Sequence, residues 1–196
     1  MIDPNILDAR RSGSRTGGPS FPLRHRLLRA AWSVAWWLLA RWTPPPMHRW
    51  RGMVLTLFGA RVSPSARVHA SAQVWYPPNL ELDENALVGP GAFIYSMAPI
   101  RIGSDAVVSQ RAHLCAGTHD VDGPNFQLVA KPIEIGAGAW VAAEAFVGPG
   151  VVVGEGAVLG ARGVTVRNLA PWSIYAGNPA RLVRSRRNRG RFDAST

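Results

Sequence analysis

One histidine carries most of the chemistry this sequence offers. It is His119, in the stretch CAGTHDVDGPNF, with Asp120 beside it and Asp122 three residues on. An imidazole is the side chain best suited to take up a proton near neutral pH. Moving an acyl group from a thioester to an alcohol needs such a base, because a neutral hydroxyl is a poor nucleophile. A single base near both reactants suffices, without a Ser-His-Asp triad. Asp120 or Asp122 could orient the ring or contact an acceptor hydroxyl. His69, His113 and His119 raise a second chemistry: three neutral imidazoles around a zinc ion with an open water position. Cys115 is the only cysteine, so neither an intrachain disulfide nor a cysteine zinc cluster can form.

These residues need a frame, and the frame is a repeat. An aliphatic residue recurs every six positions at Val62, Val68, Val74 and Leu80. After a slip of two come Leu82, Val88 and Ile94, and after another Ile102, Val108 and Leu114. The series resumes as Ile135, Val141, Val147, Val153 and Leu159. A small residue usually follows four places on, as at Ala66, Ala106 and Ala145, and glycine often follows at once, as at Gly103 and Gly136. A period of six is neither helical nor that of an antiparallel strand; a coil of short parallel strands with tight corners gives it. The aliphatic side chain points inward, the small one fits the corner, and glycine relieves strain at the turn. Ile102 to His119 makes one coil of three hexapeptides. The next is due at position 120 and starts at Ile135, so fifteen residues, DVDGPNFQLVAKPIE, are inserted after His119. A loop of that length inside a compact repeat is functional or disordered, and its Asp, Gly and Pro content fits a protruding, shaped loop.

The 196 residues carry a formal net charge of +10, unevenly placed. Ten arginines and two acids lie in residues 1–61, and six arginines and one aspartate follow Ala180, around a mildly acidic centre. Such ends suit anionic small molecules, phosphorylated cofactors or a membrane surface. Nucleic acid is not expected, since no aromatic-basic interleaving or motif is present. Residues 1–20 read as a disordered basic tail without a secretory signal. Residues 21–61 read as helical. Leu23, Leu27, Leu28, Ala31, Trp32, Leu38 and Leu39 fit a helix with a broad apolar face. That face suits packing on the body of the protein, and its tryptophans and bracketing arginines also suit an interfacial membrane helix. Its longest uncharged run, Ala30 to Ala40, falls short of the roughly 20 residues that span a bilayer. TPPPMHRW ends the helix, and a second one, HRWRGMVLTLFGA, ends near Gly59.

The repeat resembles the left-handed parallel β-helix of the hexapeptide-repeat acyltransferases. SQRAHLCAGTHD, the loop, KPIEIGAGAWVAAEAFVGPGVVVGEGAVLGARGVTV and PWSIYAGNPARLVR are similar to the O-acetyltransferases of that family, which act on maltose, galactosides and nodulation factors. WRGMVLTLFGARV and AFIYSMAPIRIG look most like the colanic acid biosynthesis acetyltransferases. The resemblance covers about Phe21 to Arg184. It implies a mainly β fold: N-terminal helices, a β-helix over residues 62–166 with the inserted loop 120–134, and a C-terminal segment with basic tail over 167–196. It implies an acetyl-CoA-dependent sugar O-acetyltransferase of exopolysaccharide or surface polysaccharide synthesis, with His119 as catalytic base and no metal.

Trp140 matches an aromatic near the donor thioester, and Ala143 and Ala161 match backbone contacts to the pantetheine arm. Arg167, Arg181 and Arg184 match cations near the cofactor's phosphates. Tyr95 or Ser96 stands where some relatives of this kind have an asparagine against the acceptor sugar. A homotrimer, with sites in the clefts between prisms, and a cytoplasmic or peripheral inner-membrane location complete the implication. Two alternatives stand beside it: a zinc-dependent, carbonic-anhydrase-like enzyme using His69, His113 and His119, and a non-catalytic β-helix scaffold anchored by the N-terminal helix.

Overall fold

The computed structural model describes residues 21–123 and 126–187; the tail expected over residues 1–20 lies outside them, as do residues 188–196. Short parallel strands wind into a β-helix with three flat faces. The first face stacks Arg61–Val62, Leu80–Leu82, Ile100–Ile102, Ile133–Ile135 and Val152–Val153. The second stacks Arg67–Val68, Leu87–Val88, Val107–Val108, Trp140–Val141, Val158–Leu159 and Ser173–Ala176. The third stacks Gln73–Val74, Phe93–Tyr95, His113–Cys115, Phe146–Val147 and Val164–Thr165. The aliphatic series of the sequence forms the inner column of each face. On the first face Leu82 pairs with Ile102, Ile102 with Ile135 and Ile135 with Val153, all of them buried.

Glycine acts differently from the expectation. The left-handed corner positions are filled by Asn85, Asp105, Glu144 and Arg162 as well as by glycines such as Gly91. The glycines that directly follow the aliphatic residues have no positive φ. They answer instead to the next coil: a Cβ on Gly103 would lie 2.8 Å from the Ala137 nitrogen, and one on Gly136 2.6 Å from that of Glu155. Stacked corners leave no room for a side chain there.

The irregularity of the repeat is confined to one edge. Registers of Arg61 with Glu81 and Glu81 with Arg101 give coils of twenty residues, and Glu134 with Val152 gives eighteen. The two extra residues fall in the corner from the third face to the first, before Leu80 and before Ile100. Leu80 and Leu82 therefore share one strand and are both buried. In the third coil that same corner opens into the long insertion.

Two helices cover the starting edge of the β-helix, where unpaired strands would otherwise stand open. Helix α1 spans Leu23–Leu39 and α2 spans His48–Leu57. On α1 the Trp32 indole donates to the Val74 carbonyl at 2.7 Å, and His25 stacks on Tyr76. From α2 the Arg51 guanidinium, 2% exposed, donates to the carbonyls of Val68, Pro44 and Pro45 and to the Thr43 hydroxyl. It locks the proline linker onto the first coil without an acidic partner.

The expected apolar face of α1 is corrected. His25, Trp32 and Trp36 are the buried residues, whereas Leu23, Leu27, Leu38 and Leu39 face outward. Flat indoles and an imidazole suit a strand edge that offers carbonyls and aromatic rings better than leucines do. At the far end, Arg181–Ser185 folds back antiparallel on Ser173–Ala176.

Candidate active site

The insertion is a hairpin, and its boundaries differ from those read in the sequence. Gly117–His119 pairs antiparallel with Leu128–Ala130, while Ile133–Ile135 is already back on the first face. The chain therefore leaves the coil at Gly117, before His119 instead of after it. Its root is stitched to the coil below: the Ala116 amide donates to the Tyr95 carbonyl at 3.1 Å, and the Lys131 amide to that of Ala116 at 3.0 Å. Gly117 fits closely here, since a Cβ would meet the Met97 sulfur and press on the Tyr95 ring.

On the arm, His119 is exposed and held at one nitrogen. Its Nδ1 lies 2.9 Å from the Phe126 carbonyl, and its ring stacks on Phe126 at 4.4 Å and 10°. A carbonyl only accepts, so Nδ1 carries the proton, and Nε2 of the neutral ring keeps a free lone pair. Phe126 itself has a left-handed backbone, φ 47°, which turns the chain back toward the histidine. Asp120 serves the loop: its Oδ1 accepts from the amides of Asp122 and Gly123. Its carboxylate thus shapes the turn beyond His119. Asp122 is exposed on that turn.

Phe126 was not legible as a partner of His119 before the hairpin was known. The only signal is the Asp-Gly pair between GTH and LVA, which marks a turn. A turn there brings the residues around position 126 back beside His119.

Of the expected acceptor contacts, Tyr95 lies half-buried at the hairpin root, edge-on to Trp75. Burial, and then Cys115 beside it, push its phenol above the usual range. Ser96 is corrected. It has no exposed surface, and its hydroxyl donates to the Tyr76 carbonyl at 2.9 Å and accepts from the Tyr76 amide at 3.0 Å. It clasps two enlarged corners together and cannot reach a ligand.

The expected donor contacts stand elsewhere. Trp140 is on the second face, 45% exposed, with its indole N–H fixed on Ser109 Oγ at 2.8 Å. Ala143 and Ala161 stack one coil apart on the corner between the second and third faces, where the Ala143 carbonyl accepts from the Arg162 amide. Arg181 and Arg184 are exposed on the closing strand of the second face. Arg167 is on the other edge, just past the third face, its amide held by Thr165 Oγ1. One chain thus groups Trp140, Ala143, Ala161, Arg181 and Arg184 but keeps His119 a full face away.

The three histidines do not converge. His69 bonds Ser71 in a corner of the first coil. His113 sits in the third face between Phe93 and Phe146, where burial holds its pKa below the usual value. Among the described residues no three His, Cys, Asp or Glu side chains are grouped to hold a metal ion.

No protein-family model matches the chain. It is 37% identical over 155 residues to WcaF of Escherichia coli (strain K12), whose name describes an acetyltransferase of colanic acid biosynthesis; the match covers 77% of this chain and 85% of WcaF. Among solved structures, a galactoside acetyltransferase in complex with coenzyme A superposes with a TM-score of 0.76 at 20% identity, over 86% of each chain. A hexapeptide-repeat acetyltransferase of Vibrio cholerae, complexed with acetyl-coenzyme A, does so with a TM-score of 0.75 at 17% identity, over 92% of this chain and all of the other.

Proposed function

The chain belongs to the hexapeptide-repeat acetyltransferases, and on that premise we propose that it moves the acetyl group of acetyl-CoA onto a sugar hydroxyl in exopolysaccharide or surface polysaccharide synthesis. The observation that carries the role of His119 is its tautomer. With Nδ1–H bound to the Phe126 carbonyl, Nε2 is the exposed acceptor. Nε2 takes the proton of the sugar hydroxyl as its oxygen attacks, and returns that proton to the departing thiolate. The thioester supplies an acetyl group already activated for transfer. The imidazolium formed midway keeps its Nδ1–H bond, so the ring need not turn between the two proton transfers.

The donor side fits a long, thin substrate with a charged end. Ala143, partly exposed, and Ala161, exposed, form a column of small corner residues, Trp140 offers an anchored ring face, and Arg181 and Arg184 offer guanidinium groups for phosphates. Arg167, on the edge that bears the hairpin, would meet phosphate from the other side of a cleft. The separation of His119 from the donor set supports a homotrimer, in which the hairpin of one chain faces the second face of its neighbour. Tyr95 and Asp122 are then the candidates to face the sugar.

The test is thiol release from acetyl-CoA over a panel of sugar acceptors. His119→Ala is expected to lose about 10²–10⁴-fold in kcat. Turnover equal to wild type would remove His119 from the chemistry.

A further inference from the structure

Helix α1 is apolar on two opposite sides. His25, Trp32 and Trp36 are buried against the β-helix. Leu23, Leu27, Val34, Trp37 and Leu38 recur at helical spacing on the other side and are all at least half exposed, Leu27 at 61% and Trp37 at 67%. The exposed stripe continues past the helix end. Trp42, 71% exposed, donates its indole N–H to the Leu38 carbonyl, and Trp50 of α2 donates to that of Leu39 at 2.7 Å. A second exposed apolar row, Trp50, Met53 and Leu57, therefore starts where the first ends. It borders a largely apolar groove of about 700 Å³ whose other wall is Val62 and Pro64.

Charge decides what covers this face. Arg24, Arg26, Arg41 and Arg49 are exposed beside the two rows. Residues 21–80 contain no aspartate or glutamate. At about 100° per residue, Arg24 and Arg26 fall on the two flanks of the stripe. A second copy laid on it about a two-fold axis would bring the same cations against these. A bilayer with anionic headgroups offers the opposite charge at its surface and apolar chains just beneath. Tryptophan favours that boundary, and three indoles lie along the rows. No helix among the described residues is long and apolar enough to cross a membrane, which leaves a helix lying in the plane of the surface.

We propose that the outer side of α1, with the exposed row of α2, docks on an anionic phospholipid bilayer. The inner side of α1 stays on the β-helix, so the enzyme body sits directly on the headgroup layer. This assignment does not depend on the role of His119.

The full-length chain is tested by co-sedimentation with vesicles of phosphatidylglycerol and phosphatidylcholine in equal parts, and of phosphatidylcholine alone. Wild type is expected to sediment with the anionic vesicles and to be released by salt. Leu27→Glu/Val34→Glu and Arg24→Glu/Arg26→Glu should each weaken binding by about tenfold or more. Because these side chains are exposed, both variants should keep the thermal midpoint and the thiol-release rate on a soluble sugar. Wild type left in the supernatant, or Leu27→Glu/Val34→Glu sedimenting like wild type, would overturn the proposal. So would a change in the lipid-free assembly mass of that variant, which would give the face to a second copy of the chain.

Discussion

At His119 a main-chain carbonyl decides which nitrogen is left to accept a proton. The hydrogen bond comes from the backbone of Phe126, so replacing that side chain leaves the tautomer intact and removes only the stacked ring. Phe126→Ala should lower kcat by about tenfold, far less than His119→Ala, while KM for acetyl-CoA stays near wild type. Steady-state kinetics on the two variants side by side checks this. His113 answers to a different variable. Burial lowers its pKa in the folded chain, so the unfolded chain binds the extra proton first. Its neutral form costs nothing above the ordinary histidine value of about 6.5; stability then falls as pH drops through that value toward the folded pKa. His113→Phe should flatten the fall of the thermal midpoint over that acid range. A midpoint that still drops as in wild type would point to His69, whose pKa burial also lowers, followed by the charge of Arg51.

Among the elements, the hairpin is the one whose footing can be broken and repaired. Gly117→Ala drives a Cβ into the buried Met97 sulfur, so either that side chain or the arm shifts while the coils remain. Activity should fall at least as far as in Phe126→Ala with little loss of thermal stability, and adding Met97→Ala should restore much of it. Arg51 is the opposite case. Arg51→Met would strand carbonyls of Val68, Pro44 and Pro45 in a buried place and should cost roughly 3 kcal/mol or more, measured by denaturant unfolding.

The coils were legible in the sequence because each aliphatic residue has one inward direction, so the six-residue phase reports the fold directly. The hairpin was legible only as an interruption, since its pairing of His119 with Leu128 rests on a turn and not on a period. Helix α1 misled for a physical reason. It is apolar on both sides, and composition alone does not say that its indoles, and not its leucines, meet the strand edge. Ser96 misled because a serine in an enlarged corner looks available until the corner above it is in place.

For the whole molecule, the decisive property is that one chain carries His119 and the Trp140 group on different sides of the prism. A homotrimer that joins them makes a specific prediction. His119→Ala chains and Trp140→Ala chains, each inactive or nearly so alone, should recover partial thiol release when co-expressed and co-purified, because some clefts then pair an intact His119 with an intact Trp140. Mixed assemblies as inactive as their parents would show that each chain works alone.

The widened corner between the third and first faces has a consequence for descent. Chain length can be gained or lost there without rephasing the other two corners, because the coils on either side close in register whether the corner holds two extra residues or a hairpin. On the proposed function, acceptor preference would drift through insertions and deletions at a single edge while the second face is inherited unchanged. The same property makes this edge a graft point. A hairpin of different length and sequence, rooted on Gly117 and returning at Ile133, is the change by which one such scaffold would acquire another sugar.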